Sequence, residues 1–149
     1  MAKNIIIISI VIALVIIFSF FRKTTNPTLE TIKLSLKSKE YQIEIARTSP
    51  QKAAGLSNRP SLCPNCGMIF LFDKDTSLPF WMKDTLIPLD MIWINSKGEV
   101  TDIITATDIK SLKILQNTKP AKYVIELNAN DAQKIGLNVG DIIKLPNNL

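Results

Sequence analysis

From Ile5 to Phe21 the chain reads IIIISIVIALVIIFSFF, a run with no charged residue in which only Ser9 and Ser19 are polar. Such a run cannot be shared with a water-facing surface, so it dictates the layout of everything that follows. At the helical rise it spans roughly 25 Å, the short end of what crosses a bilayer. A core helix would show one polar face, and this run shows none. A cleavable leader would end in small residues, and Ser19-Phe20-Phe21-Arg22 is a poor match. The reading is an uncleaved transmembrane anchor over residues 1–21, a linker over 22–31, and a single α+β domain over 32–149. Lys3 on one side of the span faces Arg22 and Lys23 on the other, so charge asymmetry barely orients it. A cysteine pair favours an oxidising compartment, which makes the protein a single-pass membrane protein with an extracytoplasmic domain.

The net charge of +5 comes from basic residues that are scattered rather than blocked, and the aromatics sit in apolar runs away from the lysines. That pattern argues against a nucleic-acid partner and for a solvated face, with mild attraction to anionic lipid. Histidine is absent, which removes the commonest catalytic base and the commonest metal ligand.

Along the domain, Ile32–Leu36 and Tyr41–Ile45 alternate apolar and polar residues and read as a hairpin turning at Ser38-Lys39. Ser49 as N-cap, Pro50 at the first helical position and Lys52-Ala53-Ala54 then predict a short helix. Pro60, Pro64 and Gly67 break the next stretch into a loop, and Met68–Phe72 is an apolar run of strand length, buried on both faces. Phe80–Ile94 (FWMKDTLIPLDMIWI) is the densest segment, holding both tryptophans and several charges. It reads as a short extended piece, Phe80–Lys83, and a strand, Leu89–Asn95, hinged at Pro88. Asn95–Gly98 turns into Glu99–Ala106; Tyr123–Leu127 is a strand, Asn130–Gly136 a compact helix, and Ile142–Leu145 a last strand. About seven strands and two short helices, without a βαβ rhythm, predict a mostly antiparallel sheet curling into a small β-barrel-like domain.

Cys63-Pro64-Asn65-Cys66 cannot close a structural zinc site alone, since four ligands are needed. A thioredoxin-like site would place the pair at a helix start, and here it lies in a proline-broken loop, so the expectation is a loop-pinning disulfide between Cys63 and Cys66 or a thiol pair without function. Met68, Met82 and Met91 are soft copper(I) ligands in principle, but methionine in an apolar strand is usually core, so no metal or cofactor is expected. Without a Ser-His, Cys-His or phosphate-cradling loop, no catalytic residues are named. Asp90 with Asp84 or Asp102 is the one carboxylate pairing open to hydrolytic chemistry. A binding site needs less: Trp81, Lys83, Thr85, Arg59 and Asp90 supply an aromatic face, two cations, a hydroxyl and a carboxylate.

Taken together, Ala46-Arg47-Thr48, Gly55-Leu56 with Arg59, Leu62, Gly67–Phe70, Phe80–Thr85 and Pro88-Leu89-Asp90 carry a family resemblance. So do Gly98, Tyr123–Leu127, Gly136-Leu137 and Gly140-Asp141. The chain resembles the bacterial and archaeal family known as domain of unknown function 192 over about Ile32 to Leu145. The resemblance implies a compact α+β domain rich in antiparallel strands, often behind a signal or anchor, and it brings no established activity. The family usually carries asparagine where Asp84 stands, and the Cys63–Cys66 pair is a local variation. The expectation is an envelope ligand-binding or accessory module, its partner a small molecule, a saccharide or a protein. The alternatives are a hydrolase acting on an envelope saccharide or peptide, and an assembly module for another membrane protein.

Overall fold

The structure is a computed structural model that describes residues 29–106, 108–147 and 149. The expected anchor and most of the linker lie outside the described residues, and among those described no helix is long and apolar enough to cross a membrane. The strands are β1 (Thr31–Leu36), β2 (Lys39–Ala46), β3 (Cys66–Thr76), β4 (Leu89–Ile94), β5 (Val100–Ala106) and β6 (Ala121–Asn128), with helices α1 (Ser49–Ala54) and α2 (Asp131–Lys134). They form one six-stranded sheet in the order β1-β2-β3-β6-β4-β5.

The hairpins form as their patterns require. β1 and β2 pair in antiparallel register from Thr31 opposite Glu44 to Leu36 opposite Lys39, and Lys37 takes a positive φ of 55° in the turn. β4 and β5 pair from Leu89 opposite Ala106 to Ile94 opposite Val100. The next pairing departs from the expected antiparallel layout: β2 and β3 are parallel, joined by a crossover through α1. One βαβ unit is therefore present. α1 starts one residue earlier than the proline suggests, because Thr48 and Gln51 form a reciprocal capping box. The Gln51 amide donates to Thr48 Oγ1, and the Thr48 amide donates to Gln51 Oε1 at 2.9 Å.

The sheet stays open, with β1 and β5 as its two edges, and the expected barrel does not form. A barrel interior takes one parity of each strand, yet every residue of β4 is buried. The apolar mass is instead divided between two faces. One carries Ile43, Ile69, Ile92 and Ile125 under α2 and the C-terminal segment; the other carries Met68, Phe70, Met91, Trp93 and Val124 under Leu56, Leu78 and Met82. The pieces read as short strands at Phe80–Lys83 and Ile142–Leu145 are single bridges, Phe80 to Leu115 and Glu99 to Ile142. Each lies over a sheet face as cover. β3 runs on to Thr76, beyond the expected strand Met68–Phe72, past an irregularity after Leu71.

Candidate functional site

The second face carries a row of residues in register across four strands: Glu44 on β2 lies opposite Met68 on β3, Met68 opposite Glu126 on β6, and Glu126 opposite Met91 on β4. At the usual strand spacing the two glutamates stand about 10 Å apart at the backbone. Glu126 is 5% exposed, and among the described residues no hydrogen bond or ion pair reaches its carboxyl. Burial pushes that carboxyl up to about 8, while the charge of Arg59 acts in the opposite sense. Held that high, the carboxyl keeps its proton further toward neutral pH than an ordinary glutamate does, and in that form it can both donate and accept one hydrogen bond.

Above Glu126 opens a cavity of about 260 Å³ with Phe70, Phe72, Phe80 and Trp81 among its aromatic lining and Lys52, Lys83 and Thr85 among its polar one. Two chain segments frame it. Gly55 ends α1 with φ 48°, and a Cβ there would lie 3.3 Å from the Phe70 ring, so glycine lets the helix end close down on that wall. From there the segment to Asn58 is tied to the Phe80–Thr85 loop. The Asn58 amide donates to the Asp84 carbonyl at 2.8 Å, and Ser57 Oγ donates to the Lys83 carbonyl at 3.2 Å. Under the floor Gly67 lets β3 and β6 approach closely, since a Cβ there would meet the Glu126 carbonyl at 2.6 Å. The rim cations rest on aromatic rings: Lys52 Nζ lies 4.6 Å from the Phe72 centroid and Lys83 Nζ 5.6 Å from that of Trp81.

Three of the five residues expected in a binding site, Trp81, Lys83 and Thr85, line this cavity. Arg59 stands beyond its wall, in a second cleft of about 850 Å³ that it lines with Glu44. Its guanidinium grips the Glu44 carboxylate with two nitrogens, at 2.8 and 2.6 Å, which holds the arginine above its ordinary pKa. Asp90 is elsewhere. It is fully buried on the opposite face, where Thr105 Oγ1 and the amides of Asn130 and Ala132 donate to it at 2.6, 3.0 and 2.8 Å.

The carboxylate pairing is not assembled either. Asp84 is an exposed turn residue with φ 56°, a conformation that asparagine and aspartate tolerate better than most. Its exchange with asparagine thus concerns the backbone. Asp102, across the sheet from Asp90, accepts from Thr118 and Lys119 and pins the covering segment. Cys63 and Cys66 are joined as a disulfide, 5.3 Å apart at Cα, in a loop that Asn128 also holds through the carbonyls of Leu62 and Cys63. Among the described residues no cluster of three or more Cys, Asp or Glu could hold a metal ion.

Glu126 and Glu44 are the residues that sequence reasoning missed. Glu44 looked like an ordinary outward residue of an alternating strand. Glu126 did carry a signal, as the one acid in the apolar run Tyr123–Leu127, whose cost when buried demands a purpose.

Comparison with known proteins agrees with this fold. The model of the DUF192 family, described as Uncharacterized ACR, matches residues 31–145. A crystal structure from Sinorhizobium meliloti 1021, provisionally described as a transcription regulator, superimposes with a TM-score of 0.74 at 30% identity, covering 80% of this chain and 96% of that one. A protein of unknown function from Novosphingobium aromaticivorans DSM 12444 does so at 0.71 and 28%, covering 83% and 90%. No curated protein matches.

Proposed function

The chain belongs to the DUF192 family, and from that premise we propose that it is a ligand-binding domain tethered to the outer side of the cell membrane by residues 5–21. In this reading the site is the cavity over Glu126. The observation that carries it is a carboxyl group left without a partner at the floor of an aromatic-walled cavity. Among the described residues nothing pairs with that carboxyl, so its hydrogen-bonding capacity faces the cavity and is open to a ligand. A neutral carboxyl exchanges a donor and an acceptor with one partner, as a sugar hydroxyl pair or a peptide amide does. The aromatic lining suits the apolar side of either. The cavity is slightly smaller than most small-molecule pockets, which suits a single sugar ring or one residue of a peptide. The apolar run Ile5–Phe21 and the Cys63–Cys66 pair support the tether and the oxidising side.

The test is ligand-detected NMR and thermal-shift titration of the full chain in detergent, with N-acetylglucosamine, its oligomers and short blocked peptides as probes. Glu126→Gln keeps one donor and one acceptor and should retain binding; Glu126→Leu fills the floor with an apolar group and should lose it. Equal response of both variants to every probe would place the ligand elsewhere.

A further inference from the structure

We propose that the segments 79–85 and 108–115 form one surface that docks the domain against an anionic lipid bilayer. Four of the six large apolar side chains exposed among the described residues lie on them: Trp81 at 50%, Ile109 at 41%, Leu112 at 68% and Ile114 at 50%. The two segments are a single structural unit. Phe80 and Leu115 exchange both backbone hydrogen bonds at 2.8 Å, and the Lys110 amide donates to the Thr85 carbonyl at 3.1 Å. Lysines are interleaved with the apolar residues. Lys83, Lys110 and Lys113 outnumber Asp84 and Asp108, which leaves the patch positive.

Exposed tryptophan and branched aliphatics among lysines match the membrane–water boundary. There apolar groups enter the acyl edge, indole sits at headgroup depth, and ammonium groups meet anionic lipid. The route of the chain favours this occupant. The described residues begin at Leu29, which packs against the same core cluster as Phe80 and Leu115. From Phe21, the end of the apolar run, to Leu29 the chain reaches about 28 Å at most. The domain is therefore held close to the bilayer, and its first described residue packs on the same face of the sheet as Phe80 and Leu115. This inference rests on the tether in the proposed function and not on the cavity.

The experiment uses the two tryptophans, since Trp81 is half exposed and Trp93 fully buried. The full chain is reconstituted in vesicles of phosphatidylcholine, alone or mixed with phosphatidylglycerol, with and without brominated acyl chains that quench indole on contact. Bromine should lower wild-type emission and leave that of Trp81→Phe unchanged, with the larger loss in the anionic vesicles. Leu112→Glu with Ile114→Glu should abolish the loss while the circular dichroism stays native. Neutralising Lys110 and Lys113 with glutamine should lower the docked-to-free ratio by about fivefold per lysine.

Wild-type emission as insensitive to bromine as that of Trp81→Phe overturns the proposal. So does a Trp81 blue shift that grows with protein concentration in lipid-free detergent, which would assign the patch to a second copy. Alkaline carbonate extraction checks the tether separately. Release of the chain defeats the tether, whereas retention with an unquenched Trp81 defeats the docking alone.

Discussion

At the scale of single residues, Glu126 sets the clearest expectation. Its carboxyl lies at about 8 in the folded chain against an ordinary 4.5, with burial the larger cause. Between those values the folded state holds a proton that the unfolded state has released, so stability falls as pH rises through the window. The fall approaches about 1.4 kcal/mol per pH unit at its steepest. Glu126→Gln removes the titrating group. Urea melts at pH 4 and pH 8 should therefore show a smaller loss of stability for the variant than for the wild type. An equal loss would mean that the carboxyl ionises freely.

Thr101 tests the opposite case, a buried polar group with no role assigned to it. Its hydroxyl is buried and makes no hydrogen bond among the described residues. Replacing it by the isosteric valine should leave stability unchanged or raise it by up to about 1 kcal/mol. These two groups also mark the limit of reading residues one at a time. That Glu126 needed explaining was legible from the run around it. That its carboxyl stays unpaired was not, because the partner a buried acid finds depends on which strand lies beside it.

At the scale of elements, Asp90 shows how a local reading misplaces a role. The second helix was expected to begin at Asn130, a residue type suited to capping it. In the fold Asn130 adopts φ 67° and its side chain caps nothing; Asp90 accepts the amides of Asn130 and Ala132 from β4 instead. Asp90→Ala should cost roughly 3–5 kcal/mol in chemical denaturation, since it leaves a buried amide, a half-buried amide and a hydroxyl without their acceptor. Thr48→Ala should cost only about 1 kcal/mol, because the α1 cap it removes is exposed to water. If both variants melt alike, Asp90 is not the cap described. Hairpins β1–β2 and β4–β5 were readable because alternation and a tight turn are both short-range signals. The parallel pairing of β2 and β3 was not, since nothing in a strand's own sequence names its neighbour.

For the whole molecule, the order β1-β2-β3-β6-β4-β5 places the longest covered strands in the middle and leaves the covering segments outside. Hydrogen exchange should follow that plan. Amides of Met68–Phe70, Ile92–Trp93 and Val124–Leu127 should exchange last, and those of residues 108–114 first, because the latter make few backbone bonds. Comparable protection of both groups would contradict the sheet order.

The run Ile5–Phe21 and most strand patterns follow from the sequence alone, as do the two short helices, the apolar identity of the core and the grouping of Trp81, Lys83 and Thr85, which line one cavity. Each rests on periodicity or composition within a few residues. Only the tertiary structure decided that the sheet stays open with both faces covered, that Asp90 serves a helix on the far face, and that Glu126 lies beneath those three side chains without a partner among the described residues. The reason is physical. Propensity and alternation act over a few residues, whereas strand order fixes which side chains share a face, and that order is set by burying the whole apolar surface at once.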